Sequence, residues 1–238
     1  IKPYNKVIRV DSDKSISIRS FLVGAVSHNI SEVKNVLESE DVFSCIKCLK
    51  KLGVKIKKIK SQQYEIYGKG LGSLYCKKGT ILDFQNSGTL CRLLTGILAT
   101  TPNIDVNLTG DSSLKKRNMS KLINLMSEFG AEFFPKNKFF LPLRMVSSEI
   151  PIGIKYKAGV SAQLKSAVAL AATNSFGVTN IIEEKMSRDH TENMLLNSTN
   201  IIKIKKGKKK LIKIYGKRYL NFLNIKVSCD PSAAAFYV

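Results

Sequence analysis

The chain has 238 residues, 44% of them hydrophobic and 24% charged, enough for one large domain or two small ones with a sizeable core. Its longest apolar runs, such as Ala167 to Ala172, fall far short of the roughly 18 residues a membrane helix needs, and the opening Ile1-Lys2-Pro3-Tyr4-Asn5-Lys6 has no apolar signal-peptide core. A soluble, cytoplasmic, monomeric chain with no membrane partner is therefore expected, although the formal net charge of +21 leaves nucleic acid, anionic lipid or small anionic substrates as partner classes.

In chain order, Lys6-Val7-Ile8-Arg9-Val10 reads as a strand. It runs through Asp11-Ser12-Asp13-Lys14-Ser15 into a helix carrying Ile18, Phe21, Leu22, Ala25 and Val26. Val36-Leu37, a polar turn and Val42, Ile46, Leu49 and Leu52 predict an apolar stretch followed by an amphipathic helix that stops at Gly53. Within it, Cys45 and Cys48 have half-zinc-site spacing. There is no second cysteine pair among Cys76, Cys91 and Cys229, and His28 and His190 lie far off in sequence, so buried thiols are expected. The odd cysteine count fits a reducing compartment. Val54 to Ile59 and Tyr64 to Tyr67 alternate as strands.

Asn86-Ser87-Gly88-Thr89-Leu90-Cys91-Arg92 is a small-residue turn opening into Leu93 to Ala99, a run apolar nearly all round, which predicts a buried helix with its free N–H groups turned outward. Such a start is a ready-made anion site, or simply a cap. Leu108-Thr109-Gly110-Asp111 leads through Lys115-Lys116-Arg117 to an amphipathic helix with Met119, Leu122, Ile123, Met126 and Phe129, ending at Gly130, followed by strands at Glu132 to Phe134 and Phe139 to Leu141. Val160-Ser161-Ala162-Gln163 opens a third apolar helix through Leu164, Ala167, Val168, Leu170 and Ala171. Ile181 to Glu192 leads into Met194 and Leu195, with Thr199 where a stop glycine would fall. Glu192 and His190 at that helix start read as capping or dipole partners before they read as an acid–base pair. The densest basic run, Lys203 to Arg218, alternates as a hairpin with a solvated lysine face and lacks interleaved aromatics for base stacking.

Ser15, Gly88 and Ser161 are spaced by about 73 residues, and the pattern strand-helix-strand-helix-strand-strand recurs three times. This predicts an α/β (α+β) domain of three βαβαββ units, apolar helices inside and amphipathic helices partly covering them. Related by rotation, the three inner helices would present their N-termini at one end as a phosphate and carboxylate site, with Lys14, Arg19, Arg117 and Arg188 as counter-charges.

These residues resemble the 5-enolpyruvylshikimate-3-phosphate synthase family of the enolpyruvyl transferase superfamily. Asp13-Lys14-Ser15-Ile16-Ser17-Ile18-Arg19 is similar to its Lys-Ser-x-x-x-Arg element and Asn86 to Arg92 to its Asn-Ala-Gly-Thr-x-x-Arg loop. Leu108 to Asp111 with Arg117, Ser161-Ala162-Gln163 and Ser187-Arg188-Asp189-His190-Thr191-Glu192 are similar to its remaining three motifs. The sequence departs from the pattern at Gln85, Asn118 and Ile18, and Ser228-Cys229-Asp230-Pro231-Ser232-Ala233-Ala234-Ala235-Phe236 resembles the family's hinge return with Ser228-Cys229 in place of Pro-Gly.

The resemblance implies an inside-out α/β domain of the enolpyruvyl transferase type. It also implies transfer of an enolpyruvyl group from phosphoenolpyruvate to shikimate 3-phosphate, with no metal or organic cofactor. Lys14 would lie between the two anions and assist proton transfer. Lys14, Ser15, Arg19, Ser161, Ala162, Gln163, Ser187 and Arg188 would hold shikimate 3-phosphate, and Lys14, Asn86, Gly88, Arg117 and Gln163 phosphoenolpyruvate. It covers every residue here and about the first half of the family's usual chain. Residues 1–12 and 228–238 are thus expected to be hinge crossings toward a second domain, with 13–227 the substrate-binding domain. The chain alone is expected to bind shikimate 3-phosphate weakly without turnover. A sister enzyme acting on a UDP-amino sugar usually carries a reactive Cys in the loop matching Asp111 to Arg117, and none is present there; a basic nucleic-acid module is the remaining alternative.

Overall fold

The computed structural model describes residues 10–198 and 200–235. Lys6 to Arg9 of the expected opening strand, the Thr199 position and Phe236 of the hinge-like motif lie outside them. In chain order the elements are α1 (Lys14–Val26), β1 (Ile30–Lys34), α2 (Glu40–Lys51), β2 (Lys55–Lys60), β3 (Gln63–Tyr67), β4 (Thr80–Asp83), α3 (Gly88–Ala99), β5 (Asp105–Thr109), α4 (Ser112–Lys115), α5 (Ser120–Glu128), β6 (Glu132–Phe134), β7 (Leu143–Val146), β8 (Lys155–Ala158), α6 (Ala162–Thr173), β9 (Val178–Glu183), α7 (His190–Leu195), β10 (Ile202–Lys205), β11 (Lys210–Tyr215), β12 (Asn224–Lys226) and α8 (Pro231–Ala234).

The strands form three four-stranded sheets ordered β12-β1-β3-β2, β4-β5-β7-β6 and β8-β9-β11-β10. Each has one parallel pair, β1 with β12, β4 with β5 and β8 with β9, and two antiparallel pairs. The threefold repeat is therefore real, with one correction. The strand beside β1 comes from the far end of the chain, Val33 facing Ile225, so the first unit is completed by β12 where the opening segment was expected. Nearby the chain ends run side by side: Ser12 bridges Cys229, Asp13 N donates to Ser228 O at 2.8 Å, and Asp230 N donates to Asp11 O at 2.8 Å.

Four further expectations shift. The strand expected at Val36-Leu37 is β1, because Asn35 takes a left-handed φ of 57° that ends the ladder. The strand expected at Phe139 to Leu141 is β7, which starts after Pro142, a residue with no N–H to give a ladder. The helix expected after Lys115 forms as α5, but a short helix not expected, α4, precedes it, capped by Asp111 accepting from Leu114 N at 2.7 Å. The hairpin β10–β11 forms with Ile204 facing Ile212, but Lys210 at its turn is buried and so departs from the solvated face. Gly53 and Gly130 do stop α2 and α5, at φ of 81° and 97°.

The core lies where α1, α3 and α6 meet. Ser17 to Val26 of α1 are all buried although three are hydroxyl-bearing or charged. Ser17 and Ser20 donate to Asp13 O and Ile16 O, each four residues back at 2.9 Å, so their hydroxyls need no water. α3 and α6 touch at the backbone: a Cβ on Gly96 would lie 2.5 Å from Ala167 O. Because a backbone carbonyl cannot swing aside, Gly96→Ala should destabilise the fold by about 1–3 kcal/mol. Gly159, with nothing within 4 Å of its missing Cβ, is the control. Urea melts should show a loss for Gly96→Ala and none for Gly159→Ala.

Candidate active site

The three inner helix starts are built alike. Asp13 caps α1 by accepting from Ile16 N at 2.7 Å, Ser87 caps α3 by accepting from Leu90 N at 3.3 Å, and Ser161 caps α6 by accepting from Leu164 N at 3.3 Å. Each leaves further first-turn N–H groups without an intrahelical partner, with partial positive charge.

Side chains join the starts. Arg19 of α1 is buried; its Nε donates to Thr191 Oγ1 of α7 at 2.9 Å, its Nη1 to Ser15 O at 3.0 Å and its Nη2 to Ser166 Oγ of α6 at 3.2 Å. Burial lowers the Arg19 guanidinium to about 10 against the pull of Asp13 and Glu192, which leaves it charged at neutral pH. One turn earlier on α6, Gln163 accepts from Arg92 Nη1 at 3.0 Å and donates to Thr89 Oγ1 at 2.9 Å. Arg92 also donates to Gly88 O at 3.0 Å. Its guanidinium is lowered by burial, with Arg117 nearby adding to the effect against Cys91. Arg117 Nη2 donates to Asn86 Oδ1 at 2.7 Å. A Cβ on Gly88 would sit 2.7 Å from Arg92 Nη1 and 2.8 Å from Arg117 Nη1, so a side chain here would push both guanidinium tips off the turn they now flank.

A continuous line of contacts thus runs Ser15–Arg19–Ser166–(α6)–Gln163–Arg92–Gly88, with Asn86 and Arg117 at its end. Ser161 and Gln163, with Arg92, Asn118, Ser120 and Lys121, line a cavity of about 500 Å³ beside it, large enough for a small anion. Ala162, between Ser161 and Gln163, is the first residue of α6.

Other expected residues stand off this line. Lys14 is half-exposed and pairs with Asp41 of α2 at 3.1 Å. Arg188 is exposed and donates to Ser232 Oγ at 3.3 Å. Ser187 gives both its N–H and its hydroxyl to Glu183 Oε1, at 2.8 and 2.7 Å, so its hydroxyl must turn before it can donate to a ligand. His190 is half-buried, and burial lowers its imidazole, with Arg19 and Arg188 adding to the effect.

Glu192 lies in the first turn of α7, where a dipole partner was expected, but the capping half of the reading is corrected. It caps nothing: its side chain is fully buried with Oε1 2.6 Å from Lys165 Nζ, and Lys165 reaches Glu183 at 2.8 Å. Lys210 stands 3.6 Å from Glu183 and 3.7 Å from Glu192. The signal that could have found Lys165 is a lone ammonium in an otherwise apolar helix, which cannot be buried without carboxylates from elsewhere. Arg92 and Thr89, quoted only as motif letters, hold Gln163 in place. Cys45 and Cys48 are buried thiols, and among the described residues no group of three His, Cys, Asp or Glu could hold a metal.

Because Ser161 is a cap as well as a candidate ligand, the two roles should separate on substitution. Ser161→Gly is expected to cost a few tenths of a kcal/mol in stability and Ser161→Ala about 1 kcal/mol. Both should weaken binding of a phosphorylated ligand alike, which a titration beside a urea melt would read.

The family model described as EPSP synthase (3-phosphoshikimate 1-carboxyvinyltransferase) matches residues 1–238. A 3-phosphoshikimate 1-carboxyvinyltransferase of Ruthia magnifica is 40% identical over 242 residues, covering 100% of this chain and 54% of the relative; that of Paramagnetospirillum magneticum is 38% identical over 232 residues, covering 96% and 52%. A solved structure of EPSP synthase from Acinetobacter baumannii superposes with a TM-score of 0.86 at 34% identity, over 97% of this chain and 51% of that one. The chain spans about half the length of the curated relatives it matches.

Proposed function

The chain belongs to the EPSP synthase (3-phosphoshikimate 1-carboxyvinyltransferase) family, and from this premise we propose that it forms the shikimate 3-phosphate-binding half of an enzyme that transfers the enolpyruvyl group of phosphoenolpyruvate to the 5-hydroxyl of shikimate 3-phosphate. In that reaction the hydroxyl gives up its proton as its oxygen bonds to C2 of phosphoenolpyruvate, while the methylene gains a proton. The tetrahedral intermediate then loses phosphate as the new methyl gives a proton back.

The observation that carries this reading is the line of contacts from Ser15 to Gly88, which joins the starts of α1, α6 and α3. On one side Ser15, Arg19, Ser161, Ala162, Gln163, Ser187 and Arg188 would hold shikimate 3-phosphate. On the other, Asn86, Gly88, Arg117 and Gln163 would hold phosphoenolpyruvate. Lys14, on a half-exposed first turn, would leave Asp41 to lie between the anions, relieve their repulsion and assist proton transfer. Fixed donors aimed at developing charge need little reorganisation in the transition state. No residue of this face is proposed to hold a metal or organic cofactor.

We place the hinge where Ser12 meets Cys229 and assign residues 13–227 to the substrate-binding domain. Val160 and Met186, directly before Ser161 and Ser187, are 77% and 83% exposed, apolar surface that a covering domain would bury. No helix among the described residues is long and apolar enough to cross a membrane; a cytoplasmic monomer fits the reading. Titration at moderate salt should show saturable binding of shikimate 3-phosphate and no gel shift of nucleic acid. A gel shift without shikimate 3-phosphate binding would reverse the assignment.

A further inference from the structure

We propose that the buried cluster Lys165, Glu183, Glu192 and Lys210 positions the shikimate 3-phosphate side of the site, and that Lys165 is its central positioning residue. This rests on the function proposed above. The cluster takes one member from α6, one from the end of β9, one from α7 and one from the start of β11, so it ties together four elements of the third repeat. Lys165, Glu183 and Glu192 have fully buried side chains, and Lys210 nearly so. Neither Glu183 Oε2 nor either Glu192 oxygen finds a hydrogen-bond donor in good geometry; ammonium groups at 2.6 to 3.7 Å face Glu183 Oε2 and Glu192 Oε1.

Two contacts lead from this cluster to the site. Glu183 Oε1 takes the N–H and hydroxyl of Ser187, so the ammonium that fixes Glu183 also fixes the loop carrying Ser187 and Arg188. On α6 and α7, the pair Lys165–Glu192 lies next to the pair Ser166–Thr191, whose hydroxyls bond at 2.8 Å and together hold the Arg19 guanidinium. Lys165 thereby sets Ser187 through one carboxylate and Arg19 through the other. Among the described residues no hydrogen bond or ion pair runs from the cluster to Asn86, Gly88 or Arg117. A packing device would affect both ligands; this arrangement acts on one.

The test is the double variant Lys165→Met/Glu183→Met, which removes one buried cation and one buried anion of matching length and leaves the Glu192–Lys210 pair. Against the unaltered chain, shikimate 3-phosphate binding should weaken at least about tenfold (about 1.4 kcal/mol), while the affinity for phosphoenolpyruvate stays within about twofold. A folded double variant with unaltered shikimate 3-phosphate affinity, or an equal loss for both ligands, overturns the proposal. Should the variant not fold, hydrogen exchange of the unaltered chain without ligand decides. The Ser187 amide should be protected at least about tenfold relative to an unstructured amide, and exchange at the unprotected rate refutes the anchor. If the unaltered chain binds no shikimate 3-phosphate, the functional reading fails by itself, and Ser187 exchange still decides what the cluster holds.

Discussion

Replacing Lys165 alone with Met is expected to destabilise the chain by about 3–5 kcal/mol, because it leaves Glu183 and Glu192 buried with Lys210, 3.6 and 3.7 Å away, as their remaining cation and the Ser187 donors on Glu183 alone. At this chain length that corresponds to a fall in melting temperature of roughly 2–4 °C per kcal/mol. Replacing Lys165 and Glu192 together by Met should restore most of the loss, since a buried ion pair exchanged for apolar groups of similar volume is often neutral. A single variant as stable as the original chain would show that water reaches the carboxylates. Acid should act in the same direction. Burial alone would raise the Glu183 carboxyl, but hydrogen bonds from Lys165 and Ser187 and the Lys165 charge outweigh it and hold it below the ordinary carboxylate range. The folded chain then binds fewer protons at this site than the unfolded one. Its contribution is complete above the unfolded value of about 4.3 and is lost as pH falls through the lower folded value. Urea midpoints measured on descending pH should fall there, and the fall should be smaller when Glu183 is replaced.

Lys14→Ala is expected to leave the fold intact and remove ligand-induced stabilisation. Its ion pair with Asp41 is half-exposed, which limits the structural cost to less than about 1 kcal/mol. Ligand at a hundred times its dissociation constant stabilises a protein by about 2.7 kcal/mol, so a shift of several degrees in the unaltered chain should shrink to near zero in the variant at the same concentration. Arg19 is the poorer probe. Its substitution would also strip donors from Ser15, Ser166 and Thr191, confusing binding with folding. An undiminished melting shift in Lys14→Ala would move the anions away from α1.

The repeat was legible because its cause is local: apolar residues all round one helix and on one face of the next, with left-handed glycine stops at Gly53 and Gly130, appear in sequence before any tertiary contact forms. What escaped depends on distant pairing. That β12 fills the first sheet requires knowing that residue 225 lies beside residue 33. Lys165 and Glu192 are each unremarkable until α6 and α7 dock, and a short polar helix start such as His190–Leu195 reads as a cap whether or not its Glu is buried. Motif spelling brought Asn86, Arg117, Gln163 and Arg19 forward, but not that Arg92 and Thr89 orient Gln163, because an amide held from two sides leaves no trace in spacing.

The claim that three helix starts form one anion-binding face is tested most directly by following backbone amide resonances of the chain during a titration with shikimate 3-phosphate. Saturable shifts concentrated at Lys14–Ser15, Ser161–Gln163 and the neighbouring Ser187–Arg188 and, on adding phosphoenolpyruvate, at Asn86–Gly88, with the lysine-rich β10–β11 hairpin unmoved, are the predicted result. Shifts that grow without saturation along that hairpin, with the three starts silent, would contradict it.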